Sequence, residues 1–149
     1  MEELIASLRV ALANTYVVYF KTHSFHWNVE GIVFPQYHAF LESIYTDVYN
    51  AVDPLAENLR KLDAYAPISL DEIVKHSTVV EETSRVVLIR DMLTALEVAN
   101  QETIDSLNKV FDLATKLKKQ GLANFVADRL DQHEKHGWMF RASIKRVEE

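Results

Sequence analysis

The chain is 149 residues long with a net charge of −6, from 16 Lys and Arg against 22 Asp and Glu, and it contains no cysteine. That length suits one domain with a core large enough to need no disulfide staple. The missing thiols exclude disulfides, thiolate zinc sites, iron–sulfur clusters and cysteine nucleophiles together, which fits a reducing cytoplasm. The acidic balance argues against nucleic acid, whose phosphates need clustered Lys and Arg, and suits cations better. The first residues, MEELIASLRVAL, are acidic and amphipathic, unlike a signal peptide. No apolar run approaches the roughly 20 residues that span a bilayer.

Gly and Pro number three each and mostly punctuate the chain. Between them the apolar period is helical. Leu4, Ile5, Leu8, Leu12, Tyr16, Tyr19 and Phe20 trace one stripe of a first helix that runs to about Asn28. Gly31 suits the position just past its C-cap, and Pro35 suits the first turn of the next helix. The second helix is expected over about 36–63, with Pro54 inside it at the cost of a hydrogen bond or a kink. Ser69 and Glu72 form a capping-box pattern, so SLDEIVKHS reads as a short helix within a long connection. A third long helix is expected over about 83–119. TVVEETSRVVLIR is rich in β-branched residues, but a lone strand has nothing to pair with. A fourth long helix is expected over about 122–146, with Trp138, Met139 and Phe140 in the core or an interface. Four long helices with a long crossover between the second and third make an all-α, four-helix bundle of ferritin-like connectivity, in one domain covering 1–149.

The Glu-x-x-His pairs of a metal site inside a single bundle are missing from this sequence. Another set stands out. His26 closes the first helix and His38 opens the second, so a short turn can bring both imidazoles together. Glu42 follows His38 by one turn, and Asp53 and Glu57 in DPLAE share a face. Imidazole and carboxylate together suit iron, manganese or zinc. His38 and Asp53, however, lie fifteen residues apart on one helix, or about 22 Å. One metal ion with ligands at about 2 Å cannot span that. Either these are two unrelated sites, or the carboxylates come from another subunit. Two second helices packed antiparallel about an axis near Thr46–Tyr49 would bring His38 to the partner's carboxylates and make the site twice.

His26-Trp27, Gly31, His38 twelve residues after the first His, Glu42, and Asp53-Pro-Leu-Ala56-Glu57 together resemble the Dps family of miniferritins, and the helix plan extends the resemblance over nearly the whole chain. The resemblance implies a hollow homododecamer in the cytoplasm. It implies ferroxidase sites at two-fold interfaces, with His26, His38 and Glu42 from one subunit and Asp53 and Glu57 from the other. Fe(II) would be oxidised there, by hydrogen peroxide in preference to oxygen, and ferric mineral stored in the cavity, which protects against oxidative stress. Zinc is possible at the same site, and a zinc-sequestering shell without fast turnover is the alternative. Trp27 is placed either to accept a stray oxidising equivalent or simply to pack. The chain departs from the family pattern in three ways. Asn58 stands where Arg is usual. The Lys-rich tails of DNA-binding members are absent, since the first helix starts near Met1 and the chain ends KRVEE, so DNA binding is not expected. Asn124 replaces an acidic pore residue, which leaves Asp128 or Asp131 for iron entry. Of the other histidines, His23 is expected to be structural and His76 solvated. His133 and His136 are expected to pack at a surface or interface, with a metal site alongside Asp131 as the alternative.

Overall fold

A computed structural model describes residues 1–145. Five helices follow in order: α1 (Glu2–Asn28), α2 (Phe34–Lys61), α3 (Leu70–His76), α4 (Ile89–Lys116) and α5 (Gln120–Ile144). Among the described residues there is no strand. The all-α bundle with a short helix in the crossover is therefore the observed architecture. α1 packs on both α2 and α4, α4 packs on α5, and α3 lies across α1. No helix among the described residues is long and apolar enough to cross a membrane.

The local chemistry explains most boundaries. Pro35 sits in the first turn of α2, where its missing N–H costs nothing. Pro54 stays inside α2 without ending it, and Asn58 Nδ2 donates to the Pro54 carbonyl at 2.8 Å. Asn58, which stands where the family resemblance expects Arg, is thus buried and bonded along its own helix. Ser69 caps α3 by accepting from the Glu72 N–H, while the Glu72 carboxylate accepts from the Ile68 N–H instead of closing the box on Ser69.

Two expectations shift. Gly31 lies one residue later than the position just past the C-cap, because Val29 ends α1 in an extended conformation. Its φ of +113° serves the turn that leads into α2. The third long helix begins at Ile89, not near 83. The segment before it is held by tertiary ties, with Lys21 Nζ donating to the Val80 carbonyl and pairing with Glu82, and Arg85 donating to Asn28. Residue 146, the expected end of the last helix, and most of KRVEE lie outside the described residues. Of the Trp138–Phe140 group, Phe140 is core, whereas Trp138 is exposed in the chain.

Two apolar clusters fill the bundle. One gathers Leu4, Leu8 and Leu12 with Leu55, Leu59, Leu107 and Val126. The other gathers Val17, Val18 and Phe25 with Leu41, Ile44, Val48, Met92, Leu96 and Phe140. Between them is a polar waist, where Asp47 of α2, Asn100 of α4, and Arg129, His133 and His136 of α5 meet. Asn14 ties α1 to the crossover there, accepting from Ser77 Oγ and the Thr78 and Val79 N–H groups.

Candidate metal centre

The turn between α1 and α2 brings His26 and His38 face to face. Their rings stack with centroids 3.7 Å apart and planes 16° from parallel. Each Nδ1 reaches the other residue's backbone carbonyl, at 2.6 Å from His26 and 2.8 Å from His38. A carbonyl oxygen only accepts, so both Nδ1 atoms carry the proton and donate it. In the neutral ring that leaves the lone pair on each Nε2, the arrangement that metal-ligating histidines use. Phe34 stacks on the outer face of His38.

Around this pair is an aromatic wall. Tyr45 stacks on His23 at 3.9 Å and stands edge-on to His26 at 5.1 Å. His23 also lies against Trp27 at 4.2 Å, and its Nδ1 is 2.9 Å from the Tyr19 hydroxyl. Burial lowers the His23 pKa, reinforced by His26 and opposed by Glu42. The same burial raises that of Tyr45, helped by the charge of Glu42 and a hydrogen bond to it. His23 is thus engaged on both faces by packing, in keeping with a structural role, and Glu42 is placed beside the imidazole pair through Tyr45.

Asp53 and Glu57 are elsewhere. Both are exposed on α2, with no hydrogen bond or ion pair among the described residues. Their distance from His38 follows from the helix rise, about 22 Å for Asp53. Among the described residues no group of three or more His, Asp or Glu side chains converges closely enough to hold a metal ion. One chain therefore brings together His26 and His38, with Glu42 near them, and does not bring Asp53 or Glu57 to that place.

The waist holds the residues that sequence reasoning placed wrongly or missed. His133 and His136 are not at a surface; they are 0% and 4% exposed. Asp131 is exposed and not part of their network. Arg129 clasps Asp47 with two parallel bonds, 3.1 and 3.0 Å. Arg129 Nη2 also donates to His133 Nε2 at 3.2 Å, and His133 Nδ1 donates to Asn100 Oδ1 at 3.0 Å. His136 Nε2 lies 3.3 Å from Asp47 Oδ2. Desolvation holds the His133 pKa well below the ordinary value, with Arg129 and His136 adding to it. Desolvation also takes His136 down to about 4, with Asp47 opposing and Arg129 and Lys135 assisting. Both are therefore neutral near pH 7. Arg129, His133 and His136 recur at helical spacing along one face, a signal in the sequence, but their partners Asp47 and Asn100 are distant in the chain. Asn124, Asp128 and Asp131 are exposed on α5.

The bundle and its crossover define a ferritin-like protein, and the family model for the ferritin-like domain matches residues 5–149. Antigen TpF1 of Treponema pallidum is 32% identical over 138 residues, covering 93% of this chain and 78% of that protein. The DNA protection during starvation protein of Helicobacter pylori is 30% identical, covering 89% of this chain and 92% of its own. Among solved structures, the Dps protein of Vibrio cholerae, described as a member of a superfamily of ferritin-like diiron-carboxylate proteins, superposes with a TM-score of 0.90 at 29% identity, covering 97% of this chain and 90% of that one. The chain belongs to the Dps family of ferritin-like proteins.

Proposed function

We propose that the chain is a ferroxidase and iron-storage miniferritin whose metal sites form between subunits. The observation that carries this reading is the reciprocal clamp between His26 and His38, which presents two Nε2 lone pairs while, among the described residues, no third side chain closes on them tightly enough to complete a metal site. Asp53 and Glu57 of a second copy supply the missing carboxylates when two α2 helices pack antiparallel, and Glu42 lies beside the imidazoles. Iron is the substrate. Hydrogen peroxide takes one electron from each of two Fe(II) ions, its O–O bond breaks, and both oxygens leave as hydroxide on Fe(III). The hard carboxylate oxygens favour the higher charge of the product, so binding itself promotes oxidation. Ferric mineral then collects inside a shell of twelve subunits, and peroxide and Fe(II) are consumed together. The net charge of −6 supports a chain that does not bind DNA tightly, which a gel-shift at moderate salt checks.

The test is size-exclusion chromatography after anaerobic Fe(II) and stoichiometric peroxide, with ferric absorbance read along the elution. Iron is expected to co-elute with a soluble shell. Asp53→Ala should lose most of the oxidation rate while the shell still forms. A shell that elutes without iron while ferric hydroxide precipitates would replace this reading with a zinc-binding shell, since the same donors hold zinc as readily.

A further inference from the structure

We propose that Tyr19 is an electron donor to the metal centre: it supplies one electron to peroxide when a single Fe(II) is bound, with His23 taking its phenolic proton, and holds the radical until a second Fe(II) arrives. The role rests on the ferroxidase reading. A site with one Fe(II) cannot complete the two-electron reduction of peroxide, and the half-finished reaction releases hydroxyl radical. A second electron from the protein avoids that. Rings lead from the imidazole pair to Tyr19 without a gap. Tyr45 stands edge-on to His26 at 5.1 Å, and Tyr19 stands edge-on to Tyr45 at 6.2 Å. A second route runs through His23, stacked on Tyr45 at 3.9 Å and 5.5 Å from Tyr19. These are the centroid spacings of aromatic rings in contact.

What singles out Tyr19 is a place for its proton. A phenol that loses an electron becomes a strong acid, so it is oxidised most easily where a base is already hydrogen-bonded to it. The Tyr19 hydroxyl lies 2.9 Å from His23 Nδ1, within reach of proton transfer, and imidazole is the usual proton shuttle among side chains. Burial, assisted by Tyr16, Tyr49 and Tyr45, raises the Tyr19 pKa, so the phenol keeps its proton and is the donor in that bond. Tyr45 bonds instead to Glu42, a carboxylate beside the imidazoles. Trp27 packs on His23 at 4.2 Å but is exposed, so a radical there would be open to solvent. Tyr19 is partly buried, with Tyr49 at 4.8 Å and Tyr16 at 5.6 Å against it. The step balances. The O–O bond breaks as Fe(II) gives one electron and Tyr19 the other, leaving Fe(III), two hydroxides, a neutral tyrosyl radical and a proton on His23. A second Fe(II) then reduces the radical, the proton returns to the phenol oxygen, and the sum is again two Fe(II) per peroxide.

The experiment loads the assembled protein anaerobically with one Fe(II) per chain, mixes it with stoichiometric hydrogen peroxide, and freeze-quenches it for electron paramagnetic resonance, with ferric absorbance read on the same mixture. A phenoxyl signal is expected, narrowed when the protein carries ring-deuterated tyrosine. Loading two Fe(II) per chain should remove most of it. Tyr19→Phe should lose the signal and release more hydroxyl radical to a spin trap, whereas Trp27→Phe should retain it. His23→Gln still accepts a hydrogen bond from the phenol but takes up no proton, so its signal should be weaker and shorter-lived. Ferric absorbance without a phenoxyl signal would overturn the proposal and leave the ferroxidase reading standing, while no ferric absorbance would end both. A signal that survives in Tyr19→Phe, or one of unchanged size and lifetime in His23→Gln, would also overturn it.

Discussion

Lowering the pH should destabilise this protein through the waist of its bundle, and His136 permits a magnitude. Its side chain is buried, and desolvation takes its pKa from 6.5 to about 4, against the opposing pull of Asp47. The unfolded chain takes up a proton near pH 6.5, whereas the folded chain resists until about pH 4. Between those values the unfolded state holds more protons, so stability falls as pH falls, and it is fully present above pH 6.5. A gap of about 2.5 pH units at about 1.4 kcal/mol each amounts to about 3.5 kcal/mol for this one group, of which about 3 kcal/mol is lost by pH 4. His133 is shifted the same way and adds to the loss. The assay is urea unfolding from pH 8 down to about pH 4 at one subunit concentration, since assembly links stability to concentration. Wild type is compared with His136→Gln, which keeps a donor for Asp47 and does not titrate. The two stability curves should converge by about 3 kcal/mol as pH falls through the window. Curves that stay parallel from pH 7 to pH 4 would refute the reasoning, because the buried imidazole would then carry no pH dependence.

Two further substitutions test the connections. Asn14 is fully buried, and its Oδ1 serves the Ser77 hydroxyl and the Thr78 and Val79 N–H groups while its Nδ2 donates to Thr78 Oγ1. Asn14→Ala strands those donors and should cost about 3 kcal/mol, with faster proteolysis in the 77–88 segment; unchanged melting and cleavage would contradict this role. Gly31→Ala meets no atom within 4 Å, so the φ of +113° alone should cost about 1–3 kcal/mol, and differential scanning calorimetry would show no change if the turn relaxed freely.

The helices were legible because each long one carries an apolar period on its inner face. Ser69 and Glu72 marked α3 for the same reason that they cap it. The pair His26 and His38 was legible because the turn between them is short and both flanks are helical. The start of α4 was misplaced because Val86 and Leu88 continue an apolar period that nothing local interrupts. What keeps residues 83–88 out of a helix is tertiary, notably the reach of Arg85 to Asn28. The waist network escaped for a related reason. Arg129 stands 82 residues from Asp47, and Asn100 stands 33 from His133, so periodicity on α5 alone shows a buried face without its partners. A histidine pair one turn apart then looks like surface, when three helices have already closed around it.

The same geometry explains why assembly and chemistry would be coupled in this chain. The imidazole pair is held by bonds to its own backbone carbonyls, so its geometry does not wait on the carboxylates. Asp53 and Glu57 are held by no bond within the described residues and lie on the exposed face of α2. On the proposed reading each chain carries a rigid half-site and a loose half-site at opposite ends of one helix. A two-fold axis near the middle of that helix joins rigid to loose at both ends in one step. Removing a carboxylate therefore disables an end of the interface without disturbing the imidazoles. Breaking the His26–His38 clamp would release the α1–α2 turn itself. His38→Ala should accordingly lower both oxidation rate and melting temperature, whereas Asp53→Ala should lower the rate alone. Equal thermal losses in the two variants would mean that the clamp does not fix the turn.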